Sequence, residues 1–189
     1  MADDYPLIPL ETRAELARWL NDNHESARGM WLVSWRRDDL GPRITYDDVV
    51  EEVLRFGWID STSRPLDEDR NAMRLTPRRP GSAWSRPNKQ RLERLQAADL
   101  MMPAGLAAIE RAKADGSWTF LDEIEDLVVP PDLAEALGAA GAASAFESLT
   151  AGRRKQLLYW IKSAKREPTR TDRIAKTVAA AREGRSALD

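Results

Sequence analysis

Two helix starts enclose a short run of alternating aromatic residues, and that alternation excludes a purely helical chain. In "LETRAELARWLND", Thr12 as N-cap and Glu15 three positions on form a capping box, with Leu16, Trp19 and Leu20 as the apolar stripe. In "ITYDDVVEEVLRFG", Thr45 is the N-cap, Asp48 the N3 acid and Gly57 the C-terminal stop. The stripe of that second helix is Tyr46, Val49, Val50, Val53 and Leu54. Between the two, "GMWLVSWRR" puts Trp31, Val33 and Trp35 on one face of a strand. Two further extended runs, "WIDSTS" and "NAMRLTPR", are joined by the polar "RPLDED" and read as an antiparallel hairpin.

Past Pro87 the pattern is helical throughout: "NKQRLERLQAADL", "PAGLAAIERAKADG", "PPDLAEALGAA", "AGRRKQLLYWIKSAK" and "TRTDRIAKTVAAAREG". The last of these reads as capped by Thr169 with Asp172 and stopped at Gly184. The expected fold is therefore α+β. A small three-stranded antiparallel sheet (residues 30–36, 58–63 and 71–77) is covered on one face by helices at 12–22 and 45–56, and an all-helical C-terminal lobe follows. The expected division is 1–98 and 99–189.

The composition removes several chemistries. Without cysteine there are no disulfides, thiolate nucleophiles or Cys-ligated metals. The one histidine, His24 in "NDNHES", reads as an ordinary surface residue at a helix end, an unpromising base for a triad. No apolar run has the length of a signal peptide or a membrane span, so a cytoplasmic chain without a membrane partner is expected. No cofactor or metal is called for. The seven tryptophans are expected mostly in cores, where an indole buries much apolar area.

The near-neutral net charge of −2 hides three blocks. Residues 72–94 hold seven bases against Glu93 alone, residues 114–152 hold eight acids and no base, and residues 153–185 hold eleven bases against three acids. In the first block, Pro77, Pro80 and Pro87 restrict the backbone that presents Arg78, Arg79 and Arg86. Guanidinium forks suit phosphate and carboxylate oxygens. Trp84, between Ser82 and Ser85, is either a packing residue or a stacking plane for a base or sugar. Placing Ile59, Met73 and Leu75 on the core face puts Trp58, Asp60 and Thr62 on the other, beside Arg74 and Thr76. Asp60 and Arg74 then become cross-strand neighbours, either bracing the hairpin or orienting Arg74 toward an anion against the wall of Trp58.

In the second basic block, Lys165 and Arg166 read as lying at a helix C-terminus, where the dipole favours cations. Arg170 and Arg173 fall early in the next helix, where it does not. They serve either the chain's own acids or an external anion.

The blocks "FGWIDS", "RLTPRRPGSAWSRPN", "MMPAGLAAIERAKADGSW" and "LTAGRRKQLLYWIKSAKREPTRTDRIAKTV" resemble the YdeI/OmpD-associated family, also labelled bacteriocin-protection proteins, from about Leu10 to Gly184. The resemblance brings no established catalytic residues. Its label implies an interaction module for antimicrobial-peptide tolerance, in which the acidic residues 115–147 would bind cationic peptides. The residues themselves point first to an anionic ligand held between the two lobes by the arginine and tryptophan-bearing segments. Candidates are a nucleotide, a phosphorylated metabolite or, less favoured at pI ≈ 5.6, a nucleic-acid backbone. An enzyme would have to rest on carboxylates such as Asp60, Asp122 and Glu123.

Overall fold

A computed structural model describes residues 5–185, 187 and 188. Four strands form one mixed sheet: β1 (Leu7–Pro9), β2 (Met30–Trp35), β3 (Trp58–Pro65) and β4 (Arg70–Pro77), in the order β1-β2-β4-β3. β1 runs parallel to β2, and the other pairs are antiparallel. The expected three-stranded antiparallel sheet is thus corrected to a four-stranded mixed one. The additional strand is three residues long and contains Pro9, which an edge position tolerates because the outer side needs no N–H.

α1 (Arg13–Asn23) and α2 (Tyr46–Arg55) start at the caps read from the sequence. Thr12 Oγ1 accepts from the Glu15 N–H at 3.2 Å, and Thr45 Oγ1 from that of Asp48 at 3.1 Å. Both helices pack on the sheet face that carries Met30, Leu32, Trp58 and Leu75, contributing Leu16, Leu20, Val49 and Val53. Each such aliphatic side chain, fully buried, stabilises by about 1.5–3 kcal/mol. Behind this packing sits an ionic brace. Glu52, with no exposed surface, accepts from Arg13 Nε at 3.1 Å and Arg55 Nη1 at 2.5 Å, while Arg13 also reaches Asp48 and Glu51. Gly57 ends α2 at φ +72°, and a Cβ there would lie 2.9 Å from the Ala104 carbonyl oxygen.

α3 (Arg86–Ala97) and α4 (Pro103–Ala114) add a second cluster of Val50, Leu54, Trp84, Leu92, Leu95 and Ile109. These elements, up to Thr119, form one compact unit. From Phe120 a second unit comprises α5 (Asp122–Glu125), α6 (Pro131–Ala139), α7 (Ala143–Ser148), α8 (Ala151–Lys162) and α9 (Glu167–Arg182) around Leu133, Leu137, Phe146, Leu157, Leu158 and Ile161. Among the described residues no helix is long and apolar enough to cross a membrane.

Three local readings are corrected. α9 begins at Glu167 with Arg166 as N-cap, so Thr169 lies inside it; Pro168 takes the early helical position that needs no donor. His24 is half-buried, its Nδ1 2.9 Å from the Leu20 carbonyl oxygen and its ring packed on Phe56, so it closes α1 rather than decorating the surface. Tyr46, expected in the apolar stripe of α2, is 55% exposed.

Candidate functional site

The hairpin register decides which arginines can act together. Asp60 pairs with Leu75, Ile59 with Thr76 and Trp58 with Pro77, and between Asp60 and Ser63 the ladder shifts. Cross-strand partners share a face, so Asp60 lies on the core face and Arg74 on the opposite one. The expected Asp60–Arg74 pair is therefore overturned. Trp58, not Ile59, is the core residue at this end of β3. It is 1% exposed, edge-on to Trp19 at 5.8 Å, and its indole N–H donates to the His24 carbonyl at 3.3 Å. Asp60 instead accepts from the Tyr46 hydroxyl at 3.0 Å.

On the outer face, Ile59, Arg74 and Thr76 come together with Ser61, whose hydroxyl accepts from Arg74 Nε at 2.9 Å. Beyond β4 the chain makes a tight turn, Arg79-Pro80-Gly81-Ser82. The Ser82 N–H donates to the Arg79 carbonyl at 3.1 Å, and Gly81 has φ +73°. Proline second and a positive-φ glycine third define a type II turn. Asp115 holds it from outside: one carboxylate oxygen accepts from the Gly81 N–H and the other from that of Ser117, both at 2.9 Å. Hydrogen bonding to Ser117 leads the causes that hold the Asp115 carboxyl below its ordinary range.

Two concavities flank this turn. The larger, about 350 Å³, is lined by Tyr5, Ile59, Ser61, Arg74, Thr76 and Arg79 together with the turn from Pro80 to Ser82. Its lining holds two guanidinium groups and three hydroxyl-bearing Ser and Thr side chains, with no carboxylate among the described residues. The smaller, about 10 Å³, is lined by Arg78, Ser82, Trp84, Arg111, Asp115 and Ser117, and it shares Arg79 with the first.

Arg78 is not displayed to solvent as its sequence context implied. It is 8% exposed, with its guanidinium carbon 3.6 Å from the Trp84 ring centroid. Nη1 donates over long distances to Ser82 Oγ (3.4 Å) and the Ala83 carbonyl (3.3 Å), while Nε and Nη2 are buried without a partner. Burial pushes its pKa down to about 10, against a smaller upward pull from Asp60. That depression corresponds to roughly 3 kcal/mol against the charged form. Trp84 is 1% exposed and tilted against Trp118 at 5.4 Å, so its faces serve packing and Arg78 rather than an external base. Arg86 opens α3 and does not line either concavity.

The second basic block is largely spoken for. Arg170 forms a bidentate pair with Asp132 (Nε–Oδ2 2.6 Å, Nη2–Oδ1 2.8 Å) and also reaches the Ile161 carbonyl. Arg173 Nη1 donates to the Trp160 carbonyl and, at 3.1 Å, to Ser163 Oγ, and so ties α9 to the C-terminus of α8. Lys165 and Arg166 are exposed in the link between those helices, past the end of α8 at Lys162. Glu123, weighed above as an acid–base group, pairs with Lys162 at 2.8 Å. Reading the sequence missed Tyr5, Ser61 and Ser82 as lining residues. Only Thr76, two positions from Arg74 on the same strand, carried a signal.

No curated protein and no solved structure matches the chain. Residues 8–108 match a domain of unknown function, DUF8412, and residues 126–184 match the family described as Bacteriocin-protection, YdeI or OmpD-Associated. The resemblance read from about Leu10 onward is thus shown for the helical part, and each match falls within one of the two units. The chain belongs to the DUF8412 family over its α+β unit, and its helical unit carries the YdeI/OmpD-associated segment.

Proposed function

We propose that the α+β unit binds a small anionic ligand, a phosphorylated metabolite or the phosphate end of a nucleotide, in the concavity formed by Arg74, Arg79 and the neighbouring hydroxyls. One observation carries this reading: a concavity of about 350 Å³, the size of a small-ligand site, whose charged lining among the described residues is two guanidinium groups. Guanidinium forks and hydroxyls together match the oxygens of a phosphate, and the type II turn holds Arg79 beside β4 at little entropic cost. Tyr5 supplies a planar wall for the non-phosphate end of the ligand. An extended nucleic-acid backbone fits less well, because the chain as a whole is slightly acidic.

The experiment is a calorimetric titration of inorganic phosphate, and separately a nucleoside monophosphate, into wild type, Arg74→Ala and Arg79→Ala. Wild type is expected to bind both, with the nucleotide tighter, and each variant to lose binding at least tenfold. Equal affinity in all three proteins, or no heat with either ligand, overturns the proposal. Where binding occurs, a ligand at roughly a hundredfold excess over Kd stabilises the fold by about 2.7 kcal/mol through linkage.

A further inference from the structure

We propose that a second pocket of the α+β unit, between the open end of the sheet's core face and the start of α2, binds a neutral purine base. It lies on the opposite sheet face from Arg74 and Thr76, and the inference does not rest on phosphate binding there. The strand register builds its floor. Leu32 pairs with Met73, one step outward Ser34 pairs with Asn71, and Ser63 flanks Met73 from β3. Cross-strand partners share a face, so these five side chains form one patch where the core runs out. Ile44 and Val49 close the pocket from the α2 side, leaving a volume of about 290 Å³, near the lower end of small-ligand sites.

The polar groups of this lining fall into two sets. Those beside the helix are committed: Thr45 exchanges hydrogen bonds with Asp48, and the Tyr46 hydroxyl donates to Asp60 at 3.0 Å. The side chains of Ser34, Ser63 and Asn71 hydrogen-bond to no other described residue. Arg43 is the one charged residue in the described lining, and Asp38 meets its charge at 2.8 Å. The pocket therefore suits a ligand that is polar but uncharged. That ligand must also be apolar over much of its surface, since Leu32, Ile44, Val49 and Met73 offer nothing to a polar group. A monosaccharide carries hydroxyls around its whole ring and would leave some of them buried without partners. A purine has apolar faces and confines its donors and acceptors to the ring edge. The Asn71 amide presents a donor and an acceptor side by side, the pattern with which a carboxamide reads adenine, and each serine hydroxyl can give or accept one bond more.

The test follows amide shifts of the uniformly labelled chain during titration with adenine and, separately, with glucose. Saturable shifts are expected with adenine at Ser34, Ser63 and Asn71 and at the Asn71 side-chain amide, and none with glucose. Asn71→Leu keeps much of the side-chain volume but removes its hydrogen bonds, and it should lose adenine affinity by about tenfold or more. Arg74→Ala should keep the wild-type affinity for adenine while losing that for phosphate, so the two sites fail separately. If Asn71→Leu does not fold, Ser63→Ala at an exposed strand position takes its place, with an expected loss of about threefold or more. Absence of saturable shifts with adenine, shifts centred on the Arg79–Ser82 turn, glucose binding as tight as adenine, or unchanged affinity in the variant overturns the proposal.

Discussion

Arg78–Arg79 and Arg170–Arg173 look alike as sequence, each a pair of guanidinium groups in a basic block, and they meet opposite fates. In the helical unit the chain answers its own arginines: Asp132 takes Arg170 in a two-pronged pair, and the end of α8 takes Arg173. In the α+β unit Arg78 is buried with two nitrogens unanswered, and Arg79 is exposed beside a concavity without carboxylates among the described residues. The difference lies in the backbone each pair decorates. α9 packs beside a helix end whose carbonyls need donors, so a cation there has an internal use. The type II turn at Arg79–Ser82 is closed by its own backbone hydrogen bond and held by Asp115, so its backbone makes no such demand on the Arg79 guanidinium.

The largest test of this contrast is Trp84→Ala. It removes a fully buried indole together with the surface on which Arg78 stacks, and it should cost about 3–5 kcal/mol in denaturant unfolding. A loss below about 1 kcal/mol would mean that the Trp84–Arg78 stack is not part of the core. Arg173→Ala comes next. It removes the charged donor shared by Ser163 Oγ and the Trp160 carbonyl, which keeps the Ser163 hydroxyl at 3.0 Å, for a cost of about 1–3 kcal/mol that added phosphate does not change.

A smaller effect is electrostatic. The hydrogen bond from Arg170 holds the Asp132 carboxyl below its ordinary range. Because the folded-state pKa is depressed, the pair's contribution is fully present above the ordinary carboxylate pKa and is lost as pH falls through the lowered value. Arg170→Ala should therefore flatten the acid side of the stability profile below about pH 4 while costing about 1 kcal/mol or less near neutrality, since the pair is partly exposed. An unchanged acid limb would separate Asp132 from Arg170. The smallest stability effect belongs to Arg79→Ala, within about 0.5 kcal/mol of wild type. A large loss would show that Arg79 braces the turn rather than facing a ligand.

Much of the fold was readable because helix caps and a period-two run of aromatics are local signals, from which α1, α2 and β2 follow, while apolar spacing gave β4 and the helical character of the chain beyond Pro87. β1 was not readable, because Leu7–Pro9 is too short and too proline-rich to resemble a strand until β2 lies beside it. The face of β3 was misread for a different reason. Trp58 and Ile59 are adjacent apolar residues, so alternation alone does not say which points inward; the Trp19–Trp58 contact across the core decides it. The site was legible only as a basic, proline-stiffened segment. Its depth at Arg78 and its contributions from Tyr5 and Ser61 depend on how the Pro80-Gly81 turn folds back on β4 and on the register shift in β3, and the shift has no local signature in "WIDSTS".

The most direct measurement is a map of backbone amide shifts during a phosphate titration of the uniformly labelled chain. Saturable shifts are expected at Ser61, Thr76, Arg79 and Ser82, with Lys165, Arg166, Arg170 and Arg173 unmoved. Shifts centred on α9, or none at the turn, would contradict the division of labour between the two basic segments.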